Sequence, residues 1–266
     1  MLYKSLWLLS LAFLAALAAL SIGCGSSSNP TTACTGGPYN VVGPWQITVT
    51  TSSATVKGYG AIDSAGLALF FDNTQPTSTG DTLQMPTLTG ACSFSGNVTD
   101  YSEPGGPSSG MALTDAVQGN VTSSTAISGT LTGSPTGTIS MTSFSPLTGS
   151  VTAVSGAKTG TVQGALNGQP VVLSLMFTPG GSDNSMTFAT VNLAGCEANG
   201  TFTEQTTSNV FDVSITLMPT CPITGTFTGV GFESSSDYFN LNGGNSDTYL
   251  YADILDSSNT FVMEIF

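Results

Sequence analysis

A short phrase recurs along this chain and constrains its fold more than any other feature: glycine, a small polar residue, an apolar residue, then Thr, Ser or Gln. It occurs at Gly96-Asn97-Val98-Thr99, Gly119-Asn120-Val121-Thr122, Gly129-Thr130-Leu131-Thr132 and Gly137-Thr138-Ile139-Ser140. Further copies are Gly149-Ser150-Val151-Thr152, Gly160-Thr161-Val162-Gln163, Gly200-Thr201-Phe202-Thr203 and Gly225-Thr226-Phe227-Thr228. Alternating apolar and hydroxyl side chains point to opposite faces of a strand, so each copy has one face to bury and one to wet. Between Gly119 and Gly160 the copies lie 8 to 12 residues apart, the spacing of a strand plus a tight turn. No segment beyond residue 23 sustains a helical period. The expectation is an all-β, antiparallel meander barrel or sandwich of roughly ten to fourteen strands, with one closed sheet favoured over two tandem domains, an alternative that the sequence leaves open.

A longer repeat overlies the short one. At an offset of 104 residues, Gly60-Ala61-Ile62-Asp63 matches Gly164-Ala165-Leu166-Asn167, Leu69 matches Leu173, Cys92 matches Cys196, and Gly96 matches Gly200. Thr99 then falls on Thr203, and Asp100 opposite Glu204. After a slip of eight residues, the run from Ile127 to Gly133 matches that from Ile223 to Gly229. These matches imply an internal duplication, with repeats 45–148 and 149–266 inside a β domain spanning 44–266.

The N-terminus reads differently. Lys4 precedes an uncharged apolar run from Ser5 to Ile22, followed by Gly23, Cys24 and the polar stretch Gly25-Ser26-Ser27-Ser28-Asn29-Pro30. Such a pattern is an export signal rather than a membrane span. The segment Leu20-Ser21-Ile22-Gly23-Cys24 resembles the lipobox of bacterial lipoproteins, with Ser21 where that family usually has Leu. The resemblance implies cleavage of residues 1–23 and acylation of Cys24, which becomes the membrane anchor. It also favours the outer membrane, because Gly25 is not the Asp associated with inner-membrane retention. Acyl chains contribute about 0.8 kcal/mol per buried CH₂, so several would hold the protein firmly. Residues 24–43, rich in Ser, Thr, Gly and Pro, read as a lipidated tether.

The residue types that are missing exclude much. The chain has no His and no Arg, and its formal charge of −13 falls to −14 once Lys4 is removed with the signal. Such a surface repels phosphate backbones, so no nucleic-acid partner is expected. Without His there is no Ser-His-Asp or Cys-His device, and without Arg no bidentate clamp for carboxylate or phosphate. Lys57 and Lys158, the remaining cations, lie in no Ser-x-x-Lys context. Paired carboxylates are the one feasible catalytic device. Asp63, Asp72, Asp81, Asp100, Glu197 and Glu204 are candidates by type, yet no spacing selects a pair. No enzymatic activity and no cofactor are expected.

Four cysteines remain beside Cys24, an even number that suits two disulfides in an oxidising compartment. Their wide spacing and the absence of His argue against zinc. Cys92, Cys196 and Cys221 each precede a strand by the same interval. With strands expected near 186–193, 198–205, 210–218 and 223–231, Cys196 and Cys221 occupy turns at the same end of the sheet. The expected bridges are therefore Cys196–Cys221 and, by elimination, Cys34–Cys92. A bridge closing about 25 residues contributes on the order of 3 kcal/mol.

Two further clusters invite a ligand. The stretch from Asp237 to Asp256 is dense in Asp, Asn and Gly, and Asp237, Asn245 and Asp247 are candidate calcium ligands. Gly243-Gly244-Asn245-Ser246-Asp247 resembles the calcium repeats of secreted β-roll proteins, but it occurs once, so a plain hairpin loop without metal is the reading. Tyr238, Phe239, Tyr249, Tyr251, Phe261 and Phe266 could line a sugar or lipid pocket, though core packing accounts for them. The sequence thus points to a membrane-anchored envelope lipoprotein with a structural or interaction role towards an envelope protein or glycan. A β-barrel carrier of a lipid or glycan stands second, and a carboxylate-based glycoside hydrolase third.

Overall fold

Among the described residues the chain is built from strands, and they close twice. The computed structural model describes residues 37–72, 82–101, 113–134, 136–144, 156–163, 171–179, 185–190, 197–205, 209–220, 225–234, 249–255 and 260–265. The first barrel runs through β1 (Gly43–Thr51), β2 (Thr55–Ile62), β3 (Ala68–Asp72), β4 (Thr82–Gln84), β5 (Ser93–Tyr101), β6 (Leu113–Ser123), β7 (Ala126–Leu131) and β8 (Gly137–Ser143). The second comprises β9 (Gly156–Gln163), β10 (Val171–Pro179), β11 (Ser185–Thr190), β12 (Ala198–Glu204), β13 (Val210–Leu217), β14 (Gly225–Ser234), β15 (Tyr249–Leu255) and β16 (Thr260–Ile265). Every neighbouring pair is antiparallel; β1 closes on β8, and β16 on β9. The meander expected between residues 186 and 231 is present as β11 to β14.

The expectation of one closed sheet is therefore corrected to two. β1 pairs with β2 on one side and with β8 from Trp45↔Ser143 to Thr51↔Gly137 on the other. No edge is left for β9. Eight strands also enclose an interior that side chains can just fill, whereas a barrel of twice that number would hold a channel.

The interior explains the recurrent glycine, which turns out to be more than punctuation between strands. Gly96, Gly119, Gly129, Gly160 and Gly200 all lie within strands. Glycine and the apolar residue two places on share the inward face, and the glycine stands opposite a bulky residue of the next strand. In the first barrel Gly60 is opposite Trp45, Gly58 opposite Ile47, and Gly119 opposite Phe94. In the second, Gly200 is opposite Ile215 and Gly231 opposite Phe211. A Cβ on Gly119 would lie 2.5 Å from Phe94 Cζ, and one on Gly60 1.8 Å from the Leu69 carbonyl oxygen. The first core is thus filled by Trp45, Ile47, Phe70, Phe94, Val117 and Met141 with their neighbours, all buried. In the second, Phe202, Phe211, Val213, Ile215 and Phe227 are buried.

The tether is shorter than expected. Tyr39 N–H donates to the Gly90 carbonyl at 2.9 Å, Val41 is buried, and Trp45 Nε1 donates to the Val41 carbonyl at 2.7 Å. Residues 39–43 therefore belong to the first barrel, because Trp45 needs a partner for its buried indole N–H. Residues 1–36, including the expected signal helix, lie outside the described residues.

The two barrels meet through outward residues of β2, β3, β13 and β14. Ala61, Leu69 and Phe71 pack with Val210, Val230 and Phe232, joined by the partly buried Tyr59, Leu67 and Phe144. Phe232 stacks parallel to Phe71 with centroids 6.3 Å apart and meets Phe144 edge-on at 5.5 Å. Aromatic pairs at such distances contribute about 0.5–1.5 kcal/mol each beyond their buried area.

The glycine rule gives a direct test. Gly60→Ala forces a methyl group into the β3 backbone, and overpacking of this kind costs about 1–3 kcal/mol or more. Urea denaturation should show that loss, whereas Thr138→Ala on the exposed face should shift the midpoint little.

Candidate functional site

Alternation along β14 places Phe227, Gly229, Gly231 and Glu233 on the inward face of the second barrel, since Phe211 pairs with Gly231. Glu233 is 1% exposed, and its Oε2 has no hydrogen-bond partner. The cause is double cover: the end of β14 has the barrel interior on one side and the first barrel on the other, through Phe232. Burial, with the nearby Glu204 carboxylate adding repulsion, pushes the Glu233 carboxyl up to about 7. Burial also raises Glu204, which ends β12 on the same inward alternation as the buried Phe202.

Among the described residues the structure brings Glu204, one of the carboxylates picked from sequence, near the buried carboxyl of Glu233, which was not picked. Asp63 is a turn-former: its Oδ1 accepts from Leu67 N–H at 2.7 Å, and Gly66, at φ 83°, completes the β2–β3 turn. Burial raises Asp63, against the Leu67 N–H bond, and Asp212 adds repulsion. Beside it, Ser64 N–H donates to Gln205 Oε1 at 2.9 Å and Gln205 Nε2 donates to Asp212 Oδ1 at 2.6 Å, tying the barrels together. Asp72 ends β3, Asp100 lies half-buried on β5, and Glu197 is exposed before β12. Asp81 lies outside the described residues. A signal for Glu233 existed: extending the phase Gly225-Thr226-Phe227 by twos puts residue 233 inward.

Cys92 is disulfide-bonded. Cys24, Cys34, Cys196 and Cys221 lie outside the described residues, as do the calcium candidates Asp237, Asn245 and Asp247. Among the described residues no group of three or more Cys, Asp or Glu is placed to hold a metal ion. Tyr249 and Tyr251 are on β15 and Phe261 on β16, while Tyr238, Phe239 and Phe266 are outside the described residues.

A second place is concave. A groove of about 470 Å³ crosses the outer face of the second barrel over β10 to β13. Thr178, Thr187, Thr201 and Ser214, each opposite the next in register, form one row along it. Met176, Ala189, Asn199 and Thr216 form the adjacent row. Met176, at 44% exposure, is the one large hydrophobic side chain exposed among the described residues.

No family model matches this sequence, and neither the curated proteins nor the solved structures contain a match.

The Glu233 environment predicts a pH dependence. A carboxyl raised from 4.5 to about 7 binds a proton in the folded state that the unfolded chain has already released. Its stabilising protonation is complete below about pH 4.5 and is lost as pH rises through about 7. Discounted for screening, the loss is roughly 2 kcal/mol. Thermal melts at pH 5 and pH 8 should differ by several degrees, and Glu233→Gln should remove most of that difference. An unchanged difference in the Gln variant would refute the assignment.

Proposed function

We propose that this protein is a lipid-anchored envelope lipoprotein whose paired β-barrels present their outer faces to an envelope partner, without catalysis. One observation carries the reading: the first barrel's interior is filled by its own side chains, so what that barrel offers is its exterior. That exterior is rich in hydroxyls. Thr50, Thr138 and Thr130 stand opposite one another across β1, β8 and β7, and Thr178, Thr187 and Thr201 do so across β10, β11 and β12. An outward hydroxyl row is the reverse of the apolar belt of a membrane-spanning barrel. A cell-envelope location, favouring the outer membrane, follows from the lipobox resemblance around Cys24.

The carrier reading, with a lipid or glycan inside a barrel, is weakened for the first barrel by the same filled interior. The hydrolase reading needs a carboxylic acid that can reach a glycosidic oxygen. Glu233, with 1% exposure, lacks that access.

The internal duplication belongs to the same proposal, in a revised form. Leu131 on β7 and Phe227 on β14 occupy matched positions and are both buried, and Gly96 on β5 matches Gly200 on β12. Aligned in this way, β2 to β8 correspond to β9 to β15. Each seven-strand unit is then completed by a terminal strand: β1 inserts between β8 and β2, and β16 between β15 and β9. The offset of 104 fails at the first hairpin, where Leu69 faces Ala61 but its match Leu173 faces Gly160 rather than Ala165.

The proposed bridges have suitable neighbours. Tyr39 bonds to Gly90, close in sequence to Cys34 and Cys92. Met218 N–H donates to the Glu197 carbonyl at 2.9 Å, close to Cys221 and Cys196. Peptide mapping under non-reducing conditions should recover Cys34–Cys92 and Cys196–Cys221. Intact mass and membrane fractionation test the anchor: Cys24→Ala should lose the lipid mass and release the protein. Retention of both lipid and membrane association in that variant would overturn it.

A further inference from the structure

We propose that the groove across β10 to β13 is a binding site for a neutral polysaccharide strand; this rests on the exterior-display reading above and names its partner class. The first argument is charge. None of the residues lining the groove is ionisable, in a protein of formal charge −13. The carboxylate one row away, Asp212, already accepts from Gln205 Nε2. An anionic polymer meets net repulsion, and no lining residue is a cation to offset it. A neutral one meets neither.

The second argument is chemical. Hydroxyls both donate and accept, as sugar hydroxyls do, and here they stand in register. Thr178, Thr187, Thr201 and Ser214 lie on successive strands, about 4.8 Å apart. Thr216 bonds to Thr226 at 3.0 Å, and Thr187 leans on the Thr178 carbonyl at 3.4 Å. Exposed Met176 beside Ala189 supplies an apolar patch for the C–H face of a sugar ring. The small outward residue Ala189 brings little side-chain volume, which lets an extended chain lie down in the groove.

The third argument separates glycan from protein. Protein interfaces centre on aromatic or Arg anchors in desolvated pockets, and this groove has neither.

The test uses the full-length protein, purified from its envelope in detergent. Affinity electrophoresis would be run through gels carrying a neutral glucan, a neutral xylan, a glycol-chitin, or anionic polygalacturonate. Retardation by at least one neutral polymer and none by polygalacturonate is expected. Thr187→Val with Thr201→Val keeps shape and strand propensity but removes two hydroxyls, and should weaken retardation at least tenfold in apparent affinity. Ser128→Ala with Ser140→Ala, an exposed pair on the first barrel outside the threonine rows, should leave it unchanged. Failure of every neutral polymer, equal retardation by polygalacturonate, or an unaltered groove variant that melts like the parent would each overturn the proposal. Loss of a protein cross-link instead of glycan retardation in the groove variant would overturn it too. Membrane fractionation of the same preparation reads anchorage separately. A membrane-bound protein that no glycan retards refutes the groove alone, and a retarded protein that is not membrane-bound refutes the anchor alone.

Discussion

Eight-stranded closure leaves a narrow interior, and the matching of glycine to a bulky inward neighbour makes it fillable. Trp45 fits because Gly60 stands across from it, and Phe94 because Gly119 does. A small barrel holds one layer of side chains at its axis, so two large residues facing each other would force the strands apart. The packed first core, the short strands and the hydroxyl exterior all follow from this pairing. Once the inward half of each repeat is committed to glycine and one apolar residue, the outward half is free to be Thr, Ser or Asn.

The same economy shapes the contact between barrels. With so few charges in the chain, the outward residues that bind the barrels are apolar, with an aromatic cluster of Tyr59, Phe71, Phe144 and Phe232 among them. Gln205 completes the contact by bridging the Ser64 amide to Asp212. The cost of this cover falls on Glu233. Its strand is enclosed on both faces, so the carboxyl is neutral through much of the pH range in which an ordinary Glu would be charged. The effect is a pH-sensitive weakness in the inner wall of the second barrel.

The outer groove and the inner carboxyl pair were not equally visible beforehand. Alternation in Gly200-Thr201-Phe202-Thr203 sets Thr201 towards solvent, but nothing in that phrase says that Thr178 and Thr187 share its row. Register across strands depends on the turns, and a shift of two residues would bring a different set of side chains opposite one another. Glu204 appeared among six undistinguished acids, and Glu233 among a polar run ending a strand. Their approach needed the register of β12, β13 and β14, which sets both on one inner wall.

By itself the sequence determined that the chain is β, that it alternates, and that it is short of charge. These are local properties, carried by the two-residue period of a strand and by side-chain type. It also carries the lipobox resemblance at Cys24, which is a matter of local spelling rather than packing. Tertiary structure decided that the strands close twice, that residues 39–43 join the core, and that glycines serve bulky neighbours across the sheet. The physical reason is that closure, register and burial belong to pairs of strands. A residue's partner across a barrel is chosen by hydrogen bonds and space, neither of which is written beside it in the chain.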